Sequence, residues 1–351
     1  MSFPEPLLLP PSSTETVDWI GGLPKVELHV HLEGSLSPTT VGLLAARHGV
    51  STEEIWPGGL PERFSFDGFP DFARQFQFGL KLIQNGDDLE TIVVAMAQQL
   101  AQNNVRYAEV TSTVYTHITS GMAPADYGQA LSNGRKRAAT EHGVLLNWVI
   151  DIPRDLEMPG STITSDFLAS KHAPDGLISI GLGGYEVGFL PEPYADDFAR
   201  ARALGLHSVP HAGETEGPDS ILGALNELGA ERIGHGVRCL EDESLVHRLV
   251  DSGTTLEVCP TSNVLLSVCP SIEQHPLRAL IDAGLRVTIS TDDPGTFATD
   301  MNTELLLAHD HHSVSLEQLR DLQFTALNAS FLPPTDRLVL AEQIRSYPAF
   351  S

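Results

Sequence analysis

The sequence predicts an α/β fold, a (β/α)₈ barrel of the TIM type. Eight short runs of apolar and β-branched residues recur along the chain, as expected for buried strands. Amphipathic stretches separate them, and several end in the Gly or Asn that commonly follows a helix. Repeated strand and helix alternation indicates parallel strands with helical crossovers, and eight repeats indicate a closed barrel.

The eight predicted strands follow one another at intervals from the N-terminal to the C-terminal part of the chain. They span residues 25–31, 105–113, 144–151, 177–183, 207–213, 232–236, 254–260 and 285–291. The longest interruption, residues 49–86, contains FSFDGFPDFARQFQFG and predicts a helical segment inserted after the first strand. Residues after about 302 predict extra C-terminal helices. We therefore expect an N-terminal arm over 1–22 and a single barrel domain over 23–351.

Composition excludes several kinds of partner. The chain has 46 acidic and 21 basic side chains and a formal net charge of -25, which repels nucleic acid and anionic lipid. Its 3 cysteines form no Cys-x-x-Cys pair and are too few for a disulfide framework. The N-terminal stretch lacks the basic region of a signal peptide, and no long apolar run follows. These features predict a cytoplasmic protein that binds neither nucleic acid nor membrane.

The first predicted strand, KVELHVH, carries two histidines in alternate positions. Residues i and i+2 of a strand point to the same side, so His29 and His31 are expected to project together into the barrel near its C-terminal end. Two imidazoles at that separation can share a metal ion. Taken alone, the His-x-His pattern is a weak signal.

The ends of three later strands supply further polar side chains. The fifth strand ends in PHAGE with His211 and Glu214, the sixth in GHG with His235, and the eighth in STDDPG with Asp292 and Asp293. The C-terminal ends of all barrel strands meet at the face where this fold builds active sites. Histidines and an aspartate suit a borderline divalent cation such as zinc with a coordination position open for water.

These motifs give the chain a specific family resemblance. PKVELHVHLEGSL, PHAGE, RIGHGVR, LEVCPTSN and STDDPG occur in the order seen in the adenosine deaminase family of the amidohydrolase superfamily, and the match covers about 23–328. The resemblance implies zinc-dependent hydrolytic deamination at C6 of a 6-aminopurine, with release of ammonia. It also implies one zinc ion per chain. The residues that would hold the ion are His29, His31, His211 and Asp292.

The resemblance further implies roles for the remaining site residues. Glu214 would protonate N1 of the purine, and His235 would orient and deprotonate the attacking water. Asp293 would hydrogen-bond N7 of the base and help to position the water. The backbone of Gly184 would meet N3, and Glu33 occupies a position that contacts the ribose side of the substrate.

The identity of the 6-aminopurine stays open at the level of sequence. The position usually occupied by aspartate in adenosine deaminases is Glu33, and Tyr185 and Glu186 stand where an acidic pair is usual. Glutamate in HLEG also occurs in relatives resembling adenine deaminases and 6-aminodeoxyfutalosine deaminases. The substrate is therefore adenosine, a 5′-modified adenosine or free adenine. The inserted segment is expected to line the ribose side, although its phenylalanines suit a plain core role equally well.

Three other interpretations fit the sequence less well. A hydrolase of the same superfamily with two metals usually carries a lysine on the fourth strand, and LISIGLGG has none. A catalytically inactive purine-binding relative would be expected to lack a ligand or a proton carrier, yet all these positions hold suitable residues. The glycines of GLGGYEVG do not match the G-x-G-x-x-G pattern of dinucleotide binding. The sequence does not indicate an oligomeric state.

Overall fold

A parallel eight-stranded sheet forms the centre of the molecule. The structure is a computed structural model that describes residues 12–67, 69–156 and 159–350, without the side chains of residues 69, 70 and 159. Neighbouring strands pair in chain order from β1 to β8, which confirms the predicted barrel class. The strands are β1 (Lys25–His31), β2 (Val105–Ser112), β3 (Leu145–Pro153), β4 (Leu177–Gly183), β5 (His207–Ala212), β6 (Arg232–His235), β7 (Thr255–Val258) and β8 (Arg286–Ile289).

The barrel closes between β1 and the segment that follows β8. Val30 and Asp292 form a parallel bridge. The Asp292 amide donates to the His29 carbonyl at 3.1 Å, and the His31 amide donates to the Asp292 carbonyl at 2.7 Å. Closure therefore places the backbone of Asp292 directly beside the two histidines of β1.

Helices surround the sheet. They are α1 (Thr14–Gly22), α2 (Pro38–His48), α3 (Phe69–Lys81), α4 (Gly86–Gln102), α5 (Val114–Thr119), α6 (Pro124–Arg137), α7 (Pro159–Leu168), α8 (Ala195–Ala203), α9 (Pro218–Asn226), α10 (Glu243–Ser252), α11 (Pro260–Leu265), α12 (Leu277–Asp282), α13 (Pro294–Phe297), α14 (Met301–His312), α15 (Leu316–Ala329) and α16 (Pro334–Ser346). The helical insertion predicted over 49–86 and the extra C-terminal helices are confirmed, because α3 lies between α2 and α4, and α14 to α16 follow β8.

The described part of the N-terminal arm contains α1. Its N-cap is Ser13, whose hydroxyl accepts from the Thr16 amide at 3.1 Å, as is usual where a helix begins. Trp19 and Ile20 of this helix are buried against the C-terminal half of the barrel. Residues 1–11 of the predicted arm lie outside the described residues.

A bulge in β1 determines which side chains enter the barrel. From Glu27 to Val30 the strand advances by three residues, while its partner β2 advances by two, from Ala108 to Val110. Such a bulge offsets the alternation of faces. Glu27 consequently lines an outer cavity beside α4, whereas His29, two residues later, meets the rings of His211 and His235 inside the barrel.

The outward faces of the strands pack on the helices in two large apolar clusters. One contains Trp148 and Tyr127 among its fully buried side chains, and the other contains Leu249 and Leu256. Within the described residues, no helix is both long enough and apolar enough to cross a membrane.

Candidate active site

Four histidines and an aspartate converge at the C-terminal mouth of the barrel. Nε2 of His29 and Nε2 of His31 each lie 3.3 Å from Oδ1 of Asp292. Nε2 of His31 lies 3.1 Å from Nε2 of His211. Nε2 of His235 lies 3.8 Å from Oδ2 of Asp292. The structure thus brings together residues that are up to 263 positions apart in the sequence, the difference between 29 and 292.

Two overlapping ligand sets meet in this cluster. The first set offers four ligand atoms that all lie within 4.8 Å of one another, one each from His29, His211, His235 and Asp292. The set that the resemblance implies contains His31 in place of His235. His31 has the shorter contacts with Asp292 and His211, and we therefore favour it as the ligand.

His29 is held from behind by a buried chain of charges. Its Nδ1 faces Oε2 of Glu257 at 3.1 Å, and Oε1 of Glu257 accepts from Nε of Arg232 at 2.6 Å. A hydrogen bond from one ring nitrogen to a carboxylate fixes the direction in which the other nitrogen points. Histidines that bind metals are usually held in this way. Burial alone lowers the pKa of His29, but the neighbouring carboxylates of Asp292 and Glu257 outweigh that effect and raise it to about 10. The same negative surroundings favour a bound cation.

Asp292 and His235 both adopt left-handed backbone conformations. Their φ angles are 63° and 60°, values that residues other than glycine rarely adopt and that often mark functional sites. Asp292 is held further by the Ser262 hydroxyl, which donates to Oδ2 at 2.6 Å. Burial raises the pKa of Asp292, but the close contact with His29 and the charges of the neighbouring histidines outweigh it and hold the pKa well below its usual range.

Gly234, the first residue of the GHG motif, allows the cluster to be this compact. A Cβ atom at this position would lie 2.8 Å from Cε1 of His29 and 3.2 Å from Cα of His211. Any side chain there would push His29 away from its partners. The glycine before His235 is therefore required by the packing of the other two histidines.

The donor set fits a divalent cation. Nε2 of His29 and Nδ1 of His211 are buried and have no hydrogen-bond partner, and the His31 and His211 rings present nitrogens to each other. Burial lowers the pKa of His211 well below its usual value, and the neighbouring histidines lower it further. Neutral imidazoles and an ionised carboxylate are the forms that bind zinc.

Glu214 and Asp293 border the cluster on the side of the mouth. Burial, together with the charges of Asp292 and Glu186, raises the pKa of Glu214 to about 8. Burial and the charge of Asp292 also raise the pKa of Asp293 well above its usual range. Asp293 packs directly on Gly34, where a Cβ atom would lie 1.7 Å from its Oδ1. Glu214 can therefore stay protonated near neutral pH and donate a proton.

Glu186 holds the loop that carries Glu214. Its Oε2 accepts from the amides of Glu214 at 2.8 Å, Thr215 at 2.7 Å and Glu216 at 3.0 Å. Its Oε1 accepts from the Gly213 amide and the Ser220 hydroxyl. Burial raises the pKa of Glu186, but the Arg154 charge and these hydrogen bonds outweigh it and lower the pKa.

Glu33 lies at the edge of the site, engaged by three donors. Its Oε1 accepts from Ser112 Oγ at 2.7 Å, from the Thr113 amide at 3.2 Å and from His117 Nε2 at 2.8 Å. Burial alone raises the pKa of Glu33, but the His117 hydrogen bond and charge outweigh it and lower the pKa. The carboxylate is therefore held against α5 by buried hydrogen bonds.

A cavity of about 820 Å³ opens above the cluster. Its polar wall includes Glu33, Glu214 and Asp293, and Gly184 also lines it. Phe72 and Phe76 of α3 form an apolar wall. The inserted segment was expected to line the ribose side of the substrate; the structure places these two phenylalanines on the cavity wall. Phe78 instead packs on Trp56, with ring centroids 5.4 Å apart, and the Phe69 side chain lies outside the described residues.

Several residues that support the site were missed in the sequence. Glu257, Ser262 and Asn263 lie in the family motif LEVCPTSN but were given no role, and His117 lies in no motif; all four contact site residues. A signal existed for Glu257, because it is a charged residue within an otherwise apolar strand, TTLEVCP. No comparable signal marks His117, whose contact with Glu33 spans 84 residues.

Comparison with known proteins decides the family. The family model described as adenosine deaminase matches residues 24–347. The chain belongs to the adenosine deaminase family. It is therefore a deaminase, a hydrolase acting on an amidine C–N bond.

Relatives of this deaminase carry two kinds of name. It is 39% identical to an aminodeoxyfutalosine deaminase of Streptomyces avermitilis, over 94% of this chain and 93% of the relative. It is 36% identical to an adenine deaminase of Rhodospirillum rubrum, over 90% of this chain and 94% of the relative. Among solved structures, an adenine deaminase from Arthrobacter aurescens superimposes with a TM-score of 0.85 at 28% identity, covering 93% of this chain and 99% of that one.

Proposed function

We propose that this deaminase hydrolyses the 6-amino group of a purine nucleoside with an extended 5′ substituent, of the 6-aminodeoxyfutalosine type. The observation that carries the proposal is the cavity above the cluster. At about 820 Å³ it lies in the upper part of the range of about 300–1,000 Å³ that is usual for ligand pockets, so it offers more room than a free purine base requires.

The position of Glu33 supports an extended substrate. The carboxylate is bound by His117, Ser112 and Thr113, so it lies against the wall rather than reaching across the cavity. Phe72 and Phe76 offer an apolar surface on the wall formed by the insertion. A 5′ extension with apolar character would be accommodated there. The 39% sequence identity to the aminodeoxyfutalosine deaminase of S. avermitilis supports the same substrate class.

We further propose that one zinc ion per chain is held by His29, His31, His211 and Asp292. Their convergence, and the buried ring nitrogens without hydrogen-bond partners, support this set. When bound, zinc supplies a hydroxide nucleophile at neutral pH by lowering the pKa of water. His235 Nε2, which lies 3.7 Å from Glu214 Oε1 and 3.8 Å from Asp292 Oδ2, would orient the attacking water.

The remaining residues would bind the base and move protons. Glu214 would donate a proton to N1 as water adds to C6, which lowers the barrier to breaking the aromaticity of the ring. Protonated Asp293 would donate to N7, and the backbone of Gly184 would meet N3. The C6–N bond then breaks and ammonia leaves, so that the amino group is replaced by a carbonyl oxygen derived from water.

Free adenine is the second candidate substrate, because the adenine deaminase of R. rubrum is almost as similar in sequence. The test is to measure kcat/KM for ammonia release by zinc-loaded protein with 6-aminodeoxyfutalosine, adenosine and adenine. We expect the 5′-extended nucleoside to give the highest value. A higher value with adenine would overturn the proposed substrate class. Absence of turnover with all three would favour a purine-binding protein without catalytic activity.

A further inference from the structure

A chain of hydrogen bonds leads from His235 away from the cavity. Nδ2 of Asn263 lies 3.2 Å from Nδ1 of His235, and Oδ1 of Asn263 lies 3.0 Å from Nε2 of His275. Nδ1 of His275 lies 3.1 Å from the backbone nitrogen of Leu277. The three side chains are almost inaccessible, with exposures of 1% for His235, 0% for Asn263 and 4% for His275.

The Leu277 amide determines the direction of this chain, because a backbone N–H can only donate. Nδ1 of His275 must therefore accept, and the single proton of its neutral ring lies on Nε2. Burial, together with the charges of His312 and His235, lowers the pKa of His275 to about 3, so this ring is neutral.

The same direction continues through the carboxamide. Nε2–H of His275 donates to Oδ1 of Asn263, which turns the NH₂ group of Asn263 toward His235. Nδ1 of His235 accepts from that group. A neutral His235 ring then carries its proton on Nε2, the nitrogen that faces Glu214 and Asp292.

We infer that Asn263 and His275 are positioning residues that hold His235 as the Nε2–H tautomer, so that it donates a hydrogen bond into the active site. The inference rests on the proposed function and deepens it, because the acceptor would be the oxygen of the attacking water. The resemblance instead implies that His235 removes a proton from that water. Proton removal by Nε2 requires the other tautomer, in which Nδ1–H faces Asn263.

The alternative tautomer conflicts with the surrounding bonds. If Nδ1 of His235 carried the proton, Asn263 would have to turn its oxygen toward His235 and its NH₂ group toward His275. That NH₂ group would then meet Nε2–H of His275, donor against donor. Relief would require His275 to lose its bond from the Leu277 amide. Because all of these groups are buried, the loss would leave polar atoms without partners.

The tautomer can be measured directly in the zinc-loaded wild-type protein by ¹⁵N NMR of the histidine rings, with His235→Gln used to assign the signals. We expect Nε2 of His235 to be protonated and Nδ1 to be an acceptor. A signal from protonated Nδ1 and unprotonated Nε2 would overturn the inference. This readout does not depend on turnover, so it stays informative even if the proposed substrate is wrong.

Asn263→Asp provides the kinetic test, because a carboxylate of the same shape can only accept. The carboxylate would draw the His235 proton to Nδ1 and hold the ring in the wrong tautomer. We therefore expect kcat to fall by at least about tenfold, while KM stays within about threefold of the wild-type value. The matched control is His312→Phe. The ring centroid of His312 lies 5.8 Å from that of His275, but within the described residues His312 makes no side-chain hydrogen bond to His235, Asn263 or His275, and we expect kcat to be unchanged.

Variants of His275 separate positioning from folding. Glutamine keeps an N–H donor for Asn263, so His275→Gln should retain more of kcat than His275→Leu at equal Tm. Equal kcat in both variants, or wild-type kcat in Asn263→Asp, would overturn the inference. A wild-type protein that is inactive on every purine would instead count against the proposed function.

Discussion

At the residue scale, the surroundings of each carboxyl group set its pKa, and this distinguishes proton donors from metal ligands. Glu214 and Asp293 have raised pKa values because they are buried beside another carboxylate, Asp292. Asp292 has a lowered pKa because histidines surround it. Carboxyl groups pushed in opposite directions within one site are typical of acid–base pairs in enzymes. The acid of this reaction is therefore expected to be Glu214.

Replacement of Glu214 by glutamine tests that role. The amide keeps the shape of the side chain but has no proton of suitable acidity, so we expect kcat to fall by about 10²–10⁴-fold with little change in KM. The fall is measured by ammonia release. Glu216→Gln is the control from the same loop and should retain full activity. Near-normal turnover in Glu214→Gln would remove this residue from the role of acid.

Sequence motifs predicted which residues meet at the mouth but not what holds them. His29, His31 and His211 lie near the C-terminal ends of predicted strands and Asp292 directly follows one, so the barrel topology alone brings them together. The support of His29 by Glu257 and Arg232 depends on the relative register of β1, β6 and β7. Register is set by packing across the whole barrel, which a pattern within one strand does not contain.

At the element scale, the eight strands were predictable because each is a short apolar run between helical stretches. The bulge in β1 was not, since KVELHVH reads as a regular alternation although Glu27 and His29 lie on opposite sides of the barrel wall. The helix α3 was recognised as an insertion, but the division of its phenylalanines between cavity and core was not. That division depends on where Trp56 lies.

The wall formed by α3 leads to a prediction about substrate size. Phe76→Ala removes an aromatic side chain from the cavity wall, and we expect KM for the 5′-extended nucleoside to rise roughly fivefold, equivalent to ~1 kcal/mol. The KM for adenine should change little, because the base is expected to lie nearer the histidine cluster. Phe78→Ala is the control, since Phe78 packs on Trp56 outside the cavity. A larger change with adenine would place this wall beside the base.

At the scale of the whole molecule, buried carboxyl groups make stability depend on pH. Burial raises the pKa of Glu304 to about 7, an effect that exceeds the lowering by hydrogen bonds from Thr261 and Thr299. The folded state therefore binds this proton more tightly than the unfolded state. The stability that it contributes is fully present below pH ~4.5 and is lost as the pH rises through about 7.

Thermal unfolding at two pH values tests this account. As the pH rises from ~6 to ~8, ionisation of Glu304 should lower the free energy of unfolding of the wild type by on the order of 1 kcal/mol. From pH ~6 to pH ~8, the Tm of the Glu304→Gln variant should fall less than the Tm of the wild type. The Tm of Glu317→Gln, a variant at an exposed position, should fall as much as that of the wild type. Equal slopes for all three proteins would show that Glu304 does not titrate in this range.

We propose that one cation, held by residues from opposite sides of the barrel, makes this fold a purine deaminase. The most direct measurement is a zinc titration of chelator-treated protein, with bound zinc and ammonia release from the 5′-extended nucleoside followed in the same samples. We predict no turnover without metal, and activity that rises in proportion to bound zinc until one equivalent per chain is reached. Full activity in metal-free protein, or a plateau only at two equivalents, would contradict the account.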